Sequence, residues 1–302
     1  SLLTTIGFGS GDRFGGGAMT LDGIYCLFFL TDVLLISPTL AGIIILVSKI
    51  WDAVSDPVMG SVTDRTSSRF GRRRPYFLYG VPLIFCALFA LWFPVDFSRE
   101  ITRFFYALFS YLFFSTVYTM VLIPYYALAS ELSLDYHERS SLMSVRMVFS
   151  AISAMACGVL PMAITGGPTT GSGFTHVGIV FGLLFSLPFL AVFFTTRERE
   201  DFQHSRRTFS LLHSFGEPLK NRSFRNVLIM YLFTFVAMDI VLSVVIYFMT
   251  YYLRLQEDTS FILGALVIVQ MCGIPAYFAI GRKWGKTAAY TVSGVIWVVA
   301  ML

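Results

Sequence analysis

The stretch from Leu46 to Arg74 reads LVSKIWDAVSDPVMGSVTDRTSSRFGRRR. Its first half is apolar yet carries Lys49, Asp52 and Asp56, and its second half is a basic loop. Positions 49, 52 and 56 are three and four residues apart, so on a helix all three project from one face, and Ser55 shares it. A charge at the centre of a membrane-length apolar segment costs about 2.5–3.5 kcal/mol on insertion scales. Such a ladder belongs against a water-filled or protein-lined interior. The pattern points to the working site of a membrane transporter.

Composition agrees. The 302 residues are 56% hydrophobic, 17% aromatic and only 13% charged, with a mean hydropathy of +0.72. That much apolar surface suits a polytopic helical protein for which lipid is the solvent. The net charge of +4 is modest and is no nucleic-acid footprint. Cys26, Cys86, Cys157 and Cys272 stand singly in apolar segments, with neither disulfide nor metal spacing. His137, His176, His204 and His213 do not repeat at metal spacing either. No phosphate-binding Walker loop and no nucleophile–base constellation is present, which speaks against ATP drive and against an enzyme. No cofactor is expected. Ser1 opens the chain without a cleavable signal, so the natural chain is expected to start slightly earlier.

Uncharged apolar runs mark the spans. They lie near Phe14–Leu35, near Leu40–Val62, within Pro75–Val95, within Phe104–Ser130, at about Ser141–Ile164, within Val177–Thr196, near Phe224–Leu253 and near Phe261–Gly281. A ninth begins near Thr287, and its sixteen residues to Leu302 are marginal against the roughly 20 a span needs, so the chain is expected to be cut within or just after it. The alternate loops that hold Arg65–Arg74, Arg139, the run Arg197–Arg225 and Arg282–Lys286 carry seventeen Lys and Arg, if Arg146 just beyond Arg139 is included. The opposite loops carry three, Arg99, Arg103 and Arg254. This positive-inside bias puts the N-terminus and the basic loops in the cytoplasm, and the Gly/Thr-rich stretch Thr165–Thr175 outside.

The basic central loop, 197–223, divides the chain into an N-terminal six-helix bundle, 1–196, and part of a second bundle, 224–302. Asp64-Arg65 and Gly71-Arg72-Arg73-Arg74 after the second span have a weak echo in Gly281-Arg282-Lys283-Trp284-Gly285-Lys286 after the eighth. Parallel repeats of six helices are one of the transporter architectures.

Lys49–Tyr76 (KIWDAVSDPVMGSVTDRTSSRFGRRRPY) resembles the signature of the glycoside–pentoside–hexuronide:cation symporters, the melibiose-permease-like branch of the major facilitator superfamily. Ile123–Arg146 (IPYYALASELSLDYHERSSLMSVR) resembles the family's segment around helices four and five, and Phe29-Leu30-Thr31-Asp32-Val33 is a third match. The matches cover the N-terminal half well and the second half poorly. The resemblance implies an all-α major facilitator fold of two six-helix bundles in the plasma membrane, bacterial inner membrane being the natural setting. It implies symport of a sugar or glycoside with Na⁺ or H⁺ by alternating access, in a protein expected to be a monomer. Carried over residue by residue, Asp52 and Asp56 would bind the cation with Ser55 and Thr119. Tyr126 stands where an aromatic stacks on the sugar, and Arg146 matches a cavity arginine with a shift of one residue. An early acid of the first helix is nearest Asp12 by motif. A helix-four acid that grips sugar hydroxyls is Leu122 here, a departure that leaves the sugar open. Another solute, such as a lysolipid-like amphiphile, is the alternative in this class, and a non-transporting sensor or scaffold is the alternative in another.

Two carboxylates one helical turn apart repel, and burial penalises both charges. Lys49 beside Asp52, a shared proton, or a bound alkali cation would each relieve that stress. The bland alternative is a static Lys49–Asp52 ion pair with Asp56 bonded to a neighbouring helix. Asp22 and Asp239 stand in the first and seventh spans, where each could bond a polar substrate or simply a neighbouring helix. Trp51 points about 100° away from Asp52 and is expected to pack. Asp64, Arg65 and Arg72 are candidates for holding a cytoplasmic gate closed, against Glu131, Asp135 or Glu138.

Overall fold

The computed structural model describes residues 2–132, 135–165, 171–198, 220–253 and 283–301, with single positions between 261 and 280. Among the described residues every regular element is a helix. Helices α1 (Leu2–Ser10) and α2 (Asp12–Phe28) follow each other across Gly11, and α2 runs on into a π-helical turn, Phe29–Val33. Then come α3 (Pro38–Arg65), α4 (Arg74–Leu91), α5 (Glu100–Leu132) and α6 (Tyr136–Thr165). Helices α7 (Gly171–Ser186) and α8 (Pro188–Thr195) make one further span. Helix α9 (Arg222–Tyr247) also ends in a π-helical turn, Phe248–Tyr252, and α10 covers Lys286–Met301. Seven spans among the described residues are long and apolar enough to cross a membrane.

The first span differs from its sequence reading, because the helix is already formed at Leu2. Each glycine from Gly7 to Gly17 costs a helix about 1 kcal/mol against alanine. Here they are contact points. A Cβ on Gly7 would overlap the side chain of Thr195, and one on Gly16 would overlap Ser150. Small residues let α1 and α2 lie tightly on α6 and α8, a packing mode that does not need a hydrophobic driving force. Likewise, α7 starts at Gly171, inside the stretch read as a loop. The sixth span breaks at Leu187, because Pro188 can open a helix but cannot donate to a continuing one. The eighth expected span, Phe261–Gly281, and most of the central loop lie outside the described residues.

The core sits among α1 to α8. Phe14, Phe77, Tyr125, Phe185 and Phe189 are all fully buried. The Phe189 ring stands 6.0 Å from Phe14, 5.9 Å from Phe77 and 5.9 Å from Tyr125, in edge and stacked arrangements that favour aromatic pairs. The principal helix neighbours are α2 with α6, α3 with α5, α4 with α7 and α4 with α5. Helix α9 leans on α2.

Candidate functional site

Helices α3 and α5 are neighbours separated in sequence by the single span α4, so they run in the same direction. Parallel helices keep a constant offset, and here it is 63 residues. Ser115 Oγ donates to Asp52 Oδ1, and one turn along Thr119 Oγ1 donates to Asp56 Oδ1 at 2.7 Å. Ser55 Oγ lies 3.4 Å from Thr119 Oγ1 and 3.4 Å from the Asp52 carbonyl oxygen. The two acids are thus the rungs of a ladder whose other rail is a hydroxyl stripe. All the donor groups are oxygens, the ligand type preferred by hard cations. Trp51 faces away from the rungs and donates to Thr116 Oγ1 at 2.9 Å, while its ring stays half-exposed.

Next to the ladder is a second charged group. Tyr111 OH donates to Asp22 Oδ2 at 2.6 Å. Lys49 feels Asp22, Asp239 and Asp52, but its ion pair is with Asp239, at 3.4 Å. The static Lys49–Asp52 pair considered from sequence is therefore not the arrangement found. Lys49 instead joins α3 to α9, and Asp22 is engaged by a tyrosine of α5.

A third group collects three candidates that lie far apart in sequence. Asp12 on α2 is buried. Arg146 Nε on α6 stands 3.5 Å from Asp12 Oδ2, and its guanidinium lies 5.0 Å from the centroid of the Tyr126 ring on α5. Tyr126 and Ser150 also reach the Asp12 carboxyl. Tyr126 remains 40% exposed, so it keeps a free surface that a ligand can touch. Leu122, by contrast, is buried in the core and offers none.

The basic loop closes one end of the bundle. Glu131, at the end of α5, accepts from Arg72 Nη2 at 2.5 Å and from Arg73 Nη2 and Nε at 2.7 and 3.1 Å. Asp64 takes a further bond from Arg73 at 3.2 Å. Glu198 accepts the backbone N–H groups of Arg72, Arg73 and Arg74 at 2.7, 2.7 and 3.0 Å. Those are orphan donors at the start of α4, and an anion there also meets the positive end of the helix dipole. Gly71 sits at φ +107°, and a Cβ on it would stand 2.7 Å from Glu198 Oε1. Arg74 bonds the Phe193 carbonyl at the end of α8 and lies over its ring. Arg65 and Glu138 are exposed. Arg72 pairs with Glu131, so the alternative partner Glu138 is not the one chosen. The Asp135 carboxylate instead accepts the Glu138 N–H at 2.9 Å.

Sequence reasoning missed Ser115, Tyr111, Arg73 and Glu198. A signal existed for the first two. Tyr111, Ser115 and Thr119 recur every four residues and so share one face of α5. Glu198 had no local signal, because its partners lie 124 to 126 residues away.

Seven membrane-length helices among the described residues define a polytopic membrane protein. The profile of the family described as MFS/sugar transport protein matches residues 7–302, and the chain belongs to that family. It is 32% identical over 264 residues to the uncharacterized symporter YnaJ of Bacillus subtilis, covering 85% of this chain and 56% of that one. It is 30% identical over 276 residues to the inner membrane symporter YicJ of Escherichia coli, covering 88% and 59%. It is 26% identical over 257 residues to the isoprimeverose transporter of Lactiplantibacillus pentosus, covering 83% and 53%. The chain spans a little over half the length of these relatives.

Proposed function

We propose that the chain is part of a secondary active transporter that couples inward movement of a sugar or glycoside to Na⁺ or H⁺ by alternating access. The observation that carries this reading is the ladder, in which Asp52 and Asp56 each face a hydroxyl on α5. A permanent structural role would favour neutralising such acids with a basic partner, yet the nearest lysine is paired elsewhere. Asp52, Asp56, Ser55, Thr119 and Ser115 hold the cation. An occupied site has its charge balanced and can be enclosed, whereas the empty, doubly charged site resists enclosure. The Asp12–Tyr126–Arg146 group offers a carboxylate, a guanidinium and a partly open aromatic face, the set a polyhydroxylated ring needs. Asp22 acts by holding the α5 hydroxyl face. The name of the isoprimeverose transporter supports a sugar cargo, and that of the inner membrane symporter YicJ supports an inner membrane. The end bearing Arg72–Arg74 faces the cytoplasm by the positive-inside rule, and the two π-helical turns face outside.

The test is whether a panel of sugars and glycosides collapses an imposed Na⁺ or pH gradient in proteoliposomes holding the full-length protein. Gradient collapse by at least one sugar is the expected result, and none across the panel would reject a sugar cargo. Ser115→Ala is expected to raise the cation concentration for half-maximal uptake several-fold. Removing one neutral donor typically costs about 0.5–1.5 kcal/mol. Thr116→Ala, which loses the bonds with Trp51 and with the Leu112 carbonyl but none with either acid, is expected to leave that concentration unchanged.

A further inference from the structure

The spans α2 and α9, which open the two halves, finish in the same way. Phe29-Leu30-Thr31-Asp32-Val33 and Phe248-Met249-Thr250-Tyr251-Tyr252 are both π-helical, with Phe and Thr in the same places. Each turn is followed by a leucine of near-identical conformation, Leu34 at φ −80°, ψ −8° and Leu253 at φ −81°, ψ −20°. The N–H of each leucine reaches back 2.9 Å to the carbonyl of its own phenylalanine, Phe29 or Phe248. π-Helical turns are rare and concentrate at functional positions. Finding one at the same point of each half marks a repeated device.

The two turns meet. Tyr251 OH donates to Asp32 Oδ1. Thr31 Oγ1 donates to Asp32 Oδ2 at 2.6 Å and lies 2.5 Å from Tyr247 OH. A carboxylate only accepts, so the single Thr31 proton goes to Asp32, and Tyr247 must be the donor to Thr31. Both tyrosines of α9 therefore donate into a cluster carried by α2. Phe28 backs the arrangement with its ring 5.8 Å from that of Tyr247. Among the described residues, the polar bonds between α2 and α9 all lie at this end. Toward its other end, α9 exposes Phe224, Val227, Ile229 and Leu232.

We propose that Thr31, Asp32, Tyr247 and Tyr251 form a latch that closes the outer end of the transport path, and that its release opens the cation and sugar site to the outside. This rests on the carrier reading and its orientation. The exposure of the partners suits reversible use. Tyr251 is 62% exposed, so when the bond breaks both groups return to water instead of being left buried and unsatisfied. The structure shows the latch shut.

The test uses the full-length protein in intact cells with a reporter thiol, Met19→Cys. Met19 is half-exposed and lies one turn before Gly23, which faces Leu242 of α9, so it looks into the space the latch would cover. A membrane-impermeant methanethiosulfonate is added outside, and labelling is counted above that of the protein without the reporter. Tyr251→Phe, Asp32→Asn and Tyr247→Phe are each expected to raise the labelling rate about tenfold, the effect of about 1.4 kcal/mol. Tyr247→Phe keeps the ring contact with Phe28 and so guards against a mere packing defect. Tyr252→Phe, a change at an exposed neighbour, is expected to leave the rate as it was. Unchanged labelling in the three variants, or an equal rise in Tyr252→Phe, overturns the latch. Uptake is followed in the same cells. Absence of uptake by the parent would overturn the carrier reading beneath it, whereas uptake with unchanged labelling overturns the latch alone.

Discussion

Asp56→Asn is expected to abolish cation-stimulated uptake while leaving the protein inserted and folded. The substitution keeps the size of the side chain and one carbonyl oxygen, so Thr119 can still donate to it as it donates to Asp56 Oδ1 at 2.7 Å. What disappears is the charge. A monovalent cation about 2.5 Å from a carboxylate oxygen gains roughly 7 kcal/mol at an effective dielectric of about 20. Losing even half of that weakens binding by more than about a hundredfold. The cation curve should therefore flatten across the accessible range. Asp52→Asn should behave similarly, since its rung is built the same way on Ser115. The measurement is uptake against Na⁺ concentration and against pH, with membrane insertion followed in parallel. An Asp56→Asn protein whose Na⁺ and pH dependence match the parent would show that the ladder does not bind the coupling ion.

Much of this was legible before any coordinates. The spacing of Lys49, Asp52, Ser55 and Asp56 fixes a shared face, and lipid as solvent makes charges on that face costly enough to need a purpose. The identity of Thr119 as a partner came through the family resemblance, because no local pattern links positions 56 and 119. Ser115 follows once α3 and α5 are known to be parallel, since the offset that joins 56 to 119 also joins 52 to 115. The apolar run places the first span from Phe14, whereas the helix begins at Leu2, and the glycines before Phe14 serve as close contacts between helices. The choice of Lys49 for Asp239, and of Glu131 for both Arg72 and Arg73, depends on which helices lie side by side. Nothing in a single sequence settles that. The equivalence of the turns at Phe29–Val33 and Phe248–Tyr252 was hidden for another reason. It resides in backbone geometry, and only two of five residues are shared.

The second large effect is on stability. Glu131→Gln is expected to lower the thermal midpoint of the purified protein by roughly 10 °C. The Glu131, Arg72 and Arg73 side chains are each no more than 9% exposed. Breaking a buried ion pair from one side costs about 3–5 kcal/mol, because the remaining charges stay desolvated without compensation. At this chain length each kcal/mol shifts the midpoint by a few degrees. Asp64→Asn removes a carboxylate from the same network, but that side chain is 53% exposed, and exposed pairs contribute at most about 1 kcal/mol. Its shift should be small. The contrast is informative because Glu131 ties the ends of α4 and α5 together within one bundle, while the latch at Asp32 joins α2 to α9. Glu131→Gln should therefore melt early without raising external labelling of Met19→Cys, and Tyr251→Phe should do the reverse. Equal, small melting shifts for Glu131→Gln and Asp64→Asn would mean that the arginine clamp is not what holds this end of the bundle closed.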